Sequence, residues 1–267
     1  MLKDITLGQY FPGNTLLHRL DPRTKLILTL VYIVALFVAK NYISYALMLA
    51  FLAVSVLISR VRPRALFKGL KPIMVIIIIT AILNLFYTDG NVLVRFWKLK
   101  ITDAGIKSAV FMALRIAMLI MGTFLLTYTT SPIDLTDGLE KLLGPLKKIK
   151  IPVHELAMMM SIALRFIPTL IEETDKIMSA QKARGADFET GNIFERARAM
   201  LPLLVPLFVS AFRRADELAV AMESRCYHGG EGRTKMKQLR MKRSDFLSLT
   251  TGALLLACVI TLASFGL

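Results

Sequence analysis

The sequence predicts an all-α membrane protein of about five transmembrane helices, with a cytoplasmic three-helix insertion between the fourth and fifth spans. Three observations carry that prediction. Apolar residues make up 55% of the 267-residue chain and mean hydropathy is +0.58, whereas a soluble domain reaches about 45–50% apolar only with glycine counted. Five strongly apolar stretches free of Asp, Glu, Lys and Arg stand out: 26–39, 41–59, 72–88, 116–133 and 246–267. Lys and Arg gather between those stretches and give the chain a net charge of +15.

The spans follow from length. A helix rises about 1.5 Å per residue and the hydrocarbon core is about 30 Å thick, so about 20 apolar residues cross it. Only Lys40 separates the first two stretches, and joined they are too long for one crossing. The chain is therefore expected to turn at Lys40-Asn41. The spans are expected at 24–39, 42–59, 71–88, 108–130 and 246–265.

Orientation follows from the loop cations. The N-terminal segment, up to the first turn of the first span, holds Lys3, Arg19, Arg23 and Lys25, and Arg60, Arg62, Arg64, Lys68 and Lys71 follow the second span, whereas the first turn between spans has only Lys40. In the third loop Arg95, Lys98, Lys100 and Lys107 are offset by Asp89 and Asp103. This places the N-terminus and residues 131–243 in the cytoplasm and the C-terminus outside. The domains are then 1–130 with four spans, 131–243 in the cytoplasm, and 244–267 as the last span. The basic balance is topological, and no nucleic-acid partner is expected. Asp4, Gly8 and Pro12 precede any apolar run, unlike a cleaved secretory signal.

The insertion is charged yet helix-forming. Ser131-Pro132-Ile133-Asp134 opens a helix with an N-cap serine, a proline at the first position and an acid facing the helix dipole. It should end near Gly144-Pro145. A second helix is expected from Pro152 to about Arg184, kinked at Pro168, with Gly185 as a left-handed cap. A third runs from about Asn192 to Tyr227, before Gly229-Gly230. The uncharged run 199–212 contains Pro202 and Pro206 and has the length of a buried or interfacial helix, the preferred reading; the alternative, a crossing, would invert the last span and put the basic linker outside.

An internal echo links the two long helices. Residues 175–185 align with 216–226, matching Asp175 to Asp216, Ala180 to Ala221 and Arg184 to Arg225. Each copy closes on small-Arg-small, Ala183-Arg184-Gly185 and Ser224-Arg225-Cys226. Small neighbours leave a guanidinium unobstructed at a helix tip, where it can pair bidentately with a carboxylate. Ordinary C-terminal capping is the alternative reading.

Other chemistry is poorly supplied. No Gly-x-x-x-x-Gly-Lys-Ser/Thr phosphate loop occurs, and Met158 stands where the second histidine of a His154-Glu155 zinc site belongs. Two cysteines, Cys226 and Cys258, make neither a disulfide framework nor a four-thiolate metal site. No metal or cofactor is expected. Glu172-Glu173-x-Asp175 is the nearest thing to the acidic cluster of a membrane-embedded enzyme of lipid or prenyl metabolism, the second reading of the chain. Arg115 lies well inside a predicted span. It either pairs with a partner subunit, snorkels, or makes a structural contact. Met158-Met159-Met160 serves either as an adaptable contact surface or as core filling.

These residues resemble the transmembrane T component of energy-coupling factor transporters, the vitamin and metal-ion importers of prokaryotes. The resemblance covers nearly the whole length. It is carried by His18-Arg19-Leu20-Asp21-Pro22-Arg23-Thr24-Lys25, by Thr130-Ser131-Pro132, and by the two arginine tripeptides. It implies a non-catalytic scaffold in the prokaryotic plasma membrane, with the three-helix region acting as a coupling insertion. Two ABC-type ATPase subunits would be docked through Ala183, Arg184, Gly185, Ser224, Arg225 and Cys226. A small integral-membrane substrate-binding (S) subunit would be contacted through residues such as Met158, Met159, Met160 and Arg115. Cys226 departs from the glycine or serine more usual in that family.

Overall fold

The computed structural model describes residues 10–96, 99–188, 192–229, 236 and 238–264. Among the described residues ten α-helices form: α1 (Leu16–Arg19), α2 (Pro22–Val38), α3 (Tyr42–Ser59), α4 (Pro63–Leu70), α5 (Met74–Tyr87), α6 (Asp103–Thr129), α7 (Pro132–Leu142), α8 (Val153–Ala183), α9 (Ile193–Glu223) and α10 (Arg243–Ser264). One antiparallel hairpin, β1 (Val92–Phe96) and β2 (Leu99–Thr102), joins α5 to α6 and was not expected from the sequence. Contacts divide the chain into two compact units, one of residues 10–141 with 239–264 and one of 142–238. Helix α7 thus falls almost wholly within the first unit.

In the first unit, local chemistry sets the helix ends. Asp21 caps α2 by accepting the Arg23 backbone N–H at 3.0 Å, and Pro22 occupies the first helical position. The chain turns between Val38 and Tyr42, at the expected Lys40-Asn41. Ser131 caps α7, taking the Asp134 N–H at 3.1 Å while its hydroxyl donates to the Asp134 carboxylate at 2.7 Å. Helix α2 packs on α10 and α6, α5 lies along α6, and α3 reaches α6 and α10. Their shared core holds Tyr32, Leu36, Tyr45, Met48, Met118 and Val259. Gly252 allows α10 to approach α2 closely, since a methyl there would meet Leu28 Cδ2 at 2.5 Å.

Among the described residues five helices are long and apolar enough to cross a membrane: Tyr42–Ser59, Pro63–Tyr87, Asp103–Thr129, Val153–Ala183 and Arg243–Ser264. Four of them contain most or all of an expected span. The expected first span forms as α2, with 17 residues at the short end of the crossing range. Val153–Ala183 qualifies on length and composition instead, at a mean hydropathy of 1.3 against 2.1 or more for the other four. The chain is an all-α membrane protein in architecture, the short hairpin apart.

In the second unit α8 and α9 are 31-residue helices packed on each other. Pro168 lies inside α8, and Pro202 and Pro206 lie inside α9.

Candidate functional site: two arginine helix tips

Helices α8 and α9 end in the same backbone motif. At the first tip the Gly185 N–H donates to the Lys182 carbonyl at 3.0 Å and the Ala186 N–H to Gln181 at 3.0 Å. At the second the Cys226 N–H donates to Glu223 at 2.9 Å and the Tyr227 N–H to Met222 at 3.0 Å. Both are Schellman caps, which satisfy the last carbonyls of a helix by passing one residue through the left-handed region. That residue is Gly185 (φ 89°) in one and Cys226 (φ 55°) in the other. The echo in sequence is therefore an echo in conformation, with Arg184 and Arg225 in the same position of the motif.

The motif decides how the arginines are presented. Ala183, Arg184, Gly185, Ser224, Arg225 and Cys226 are all exposed. Neither guanidinium has a hydrogen bond or ion pair with another described residue. A cation at a helix C-terminus is favoured by the dipole, and each fork is held beside an ordered turn without a partner among the described residues. The arrangement suits bidentate capture of a carboxylate.

A polar contact ties the two helices together. Glu173 of α8 accepts a hydrogen bond from the Ser210 hydroxyl and another from Arg214 Nη2 at 2.8 Å, both on α9. Glu173 therefore does more than decorate a solvated face. Met159 and Met160 are 55% and 46% exposed, so this chain does not bury them, and Met158 is half-buried.

The first unit holds a second set of sequence-marked residues. Arg23 grips Asp21 with Nε to Oδ1 at 3.1 Å and Nη2 to Oδ2 at 2.9 Å, and Nη2 also reaches the Leu239 carbonyl at 3.2 Å. Burial pushes the Asp21 carboxyl up, but the Arg23 hydrogen bonds outweigh it and hold the group below its ordinary value. Asp245, almost fully buried, accepts the Asp21 N–H at 2.8 Å and the Lys242 N–H at 2.7 Å. Lys25 Nζ donates to the Thr129 carbonyl at 2.8 Å, closing the end of α6. Asp21, Arg23 and Lys25 belong to the N-terminal motif, but Asp245 gave no signal in sequence. A lone acid at a helix start looks like dipole compensation.

Arg115 is engaged inside the chain. Its Nε donates to the Tyr45 hydroxyl at 2.9 Å and its Nη2 to the Ala39 carbonyl at 3.1 Å, at the C-terminal end of α2. Among the described residues no group of three or more His, Cys, Asp or Glu could hold a metal ion.

Comparison with known proteins fits this picture of a multi-pass chain built for transport. The family described as cobalt transport protein, CbiQ, matches residues 13–236. A Clostridium kluyveri protein named energy-coupling factor transporter transmembrane protein EcfT is 55% identical over 265 residues, covering 98% of each chain. The proteins of that name from Thermosediminibacter oceani and Bacillus subtilis are 54% and 51% identical, each covering 97% of this chain and 98% of its own. This chain belongs to that family of transmembrane components of energy-coupling factor transporters. It is a transport subunit rather than an enzyme, and the lipid- or prenyl-metabolism reading is not favoured.

Proposed function

We propose that the chain is the scaffold and coupling subunit of an energy-coupling factor importer in a prokaryotic plasma membrane. It transmits ATP-driven motion of two ABC-type ATPase subunits to a small substrate-binding (S) membrane subunit, for uptake of vitamins or metal ions. The chain itself catalyses nothing, and ATP is hydrolysed by the partners. The observation carrying this reading is the pair of free guanidinium tips at equivalent positions of two caps of the same type. Two matching tips suit two matching sockets, and an ATPase pair supplies those.

In this reading the N-terminus and residues 131–243 lie in the cytoplasm. Helix α8 is apolar enough to cross a bilayer, but Arg165, Glu172, Glu173, Asp175 and Lys176 line its middle and later turns. Such charges are costly in hydrocarbon. Met158, Met159 and Met160 present flexible thioethers that can repack against differing subunits.

Two measurements test the assignment. Expressed with its neighbours, the chain should co-purify with a stoichiometric pair of ATPases; catalytic turnover by the isolated chain would overturn the scaffold reading. Cys226 is exposed, so a membrane-impermeant maleimide should label it in inside-out vesicles and leave it untouched in right-side-out ones. Labelling only from the outside would place the second tip on the wrong face.

A further inference from the structure

Helix α3 ends at a corner that leaves two cations without partners. Arg60, the C-cap, adopts a left-handed conformation (φ 53°), which is unfavourable for a residue with a Cβ. The corner is anchored by alternate residues. Ser59 is buried, donates to the Val56 carbonyl at 2.7 Å and accepts the Val61 N–H at 3.3 Å. Val61 is buried with Leu66, Leu125 and Tyr128. Arg60 and Arg62, between and after these anchors, are exposed, and neither has a hydrogen bond or ion pair with another described residue. Arg64, Lys68 and Lys71 extend the same uncompensated charge along and just beyond α4.

The corner forms one wall of a cleft of about 1100 Å³. Residues 11–16 and His18 form the other wall, held by the His18 ring. The Phe11 carbonyl, 3.0 Å from His18 Nε2, can only accept, so Nε2 carries the proton and Nδ1 accepts from the Thr15 hydroxyl at 2.6 Å. Burial holds the imidazole below its ordinary pKa, which favours this neutral form. Just before the corner, on the last turn of the membrane-length helix α3, Leu57 is 75% exposed and Ile58 is also open. The cleft therefore grades from an apolar helix end to a cationic rim, as the bilayer does from acyl chain to headgroup.

We propose that this cleft binds an anionic phospholipid, its phosphate paired with Arg60 and Arg62 and its acyl chains lying along Leu57 and Ile58. A free phosphate would use the rim and leave the apolar side unmatched. The acidic face of a protein would use the charges but gain nothing from Leu57 and Ile58 at the depth of the acyl chains.

Native mass spectrometry tests the site. The full chain is released from mixed micelles containing equal phosphatidylglycerol and phosphatidylcholine, and the ratio of retained lipids is read. Wild type should retain phosphatidylglycerol preferentially. At about 1 kcal/mol per cation near an anionic surface, R62Q should lower the ratio roughly fivefold and R60Q/R62Q up to about thirtyfold. R62Q leaves the left-handed residue intact and so tests the site even if the double variant folds poorly. K40Q, in the first turn, should leave the ratio unchanged. Equal retention of the two lipids by wild type, or an unchanged ratio in R62Q, overturns the proposal. Displacement of phosphatidylglycerol by excess inorganic phosphate would reveal a small-anion pocket instead. Release of another subunit from the assembled complex by R60Q/R62Q, with the ratio unchanged, would make the corner a protein-docking surface.

Discussion

The backbone N–H of Asp21 donates to Asp245 Oδ1 at 2.8 Å, joining residues 224 positions apart. One carboxylate thereby fixes the start of α2 to the start of α10, while its second oxygen holds Lys242. The first and last predicted spans are latched by a single buried side chain.

Removing that side chain should be costly. Asp245→Ala strands the buried Asp21 amide, at roughly 1–3 kcal/mol for a buried donor left unpaired, and leaves the amide of exposed Lys242 to water. Asp245→Asn keeps one acceptor and should lose about half as much. Thermal unfolding in a mild detergent reads both. Asp21 adds a pH dependence: its lowered carboxyl contributes stability that is complete above about pH 4 and is lost as pH falls through the folded value.

The two caps differ where a stability measurement can see it. Cys226 occupies the left-handed position that Gly185 fills in the other copy. Cys226→Gly should stabilise the end of α9 by about 1 kcal/mol, and Gly185→Ala should destabilise the end of α8 by about the same amount. Amide exchange in the last turn of each helix should slow in the first variant and quicken in the second.

The Glu173–Arg214 pair is partly exposed, with side chains at 23% and 36%. A double-mutant cycle to alanine should return only a small coupling, shrinking as salt is raised. A larger, salt-insensitive value would mean that the contact between α8 and α9 is desolvated.

Periodicity and capping made much of the fold legible in the sequence. The turn at Lys40-Asn41, the Ser131 cap and the end of α8 at Arg184 are short-range events written in adjacent residues. The hairpin between α5 and α6 was missed because Arg95, Lys98 and Lys100 read as a charged loop, although they alternate with apolar neighbours. Helix α4 was also missed. Pro63 opens it and Leu66 and Leu70 form its buried stripe, yet five cations in twelve residues dominated the reading. The long-range partners of Asp245, Glu173 and Arg115 lie 37 to 224 residues away, and a single sequence carries no signal for such pairs. At the candidate site the two arginine tripeptides were plain. That both adopt one and the same cap required the backbone.

The most direct test reverses the charge of both tips, Arg184→Glu with Arg225→Glu, and measures recovery of the ATPase pair with the membrane-inserted chain. The account predicts normal insertion, loss of the ATPases by at least tenfold, and no transport, with each single variant intermediate. An intact complex and unchanged transport in the double variant would contradict it.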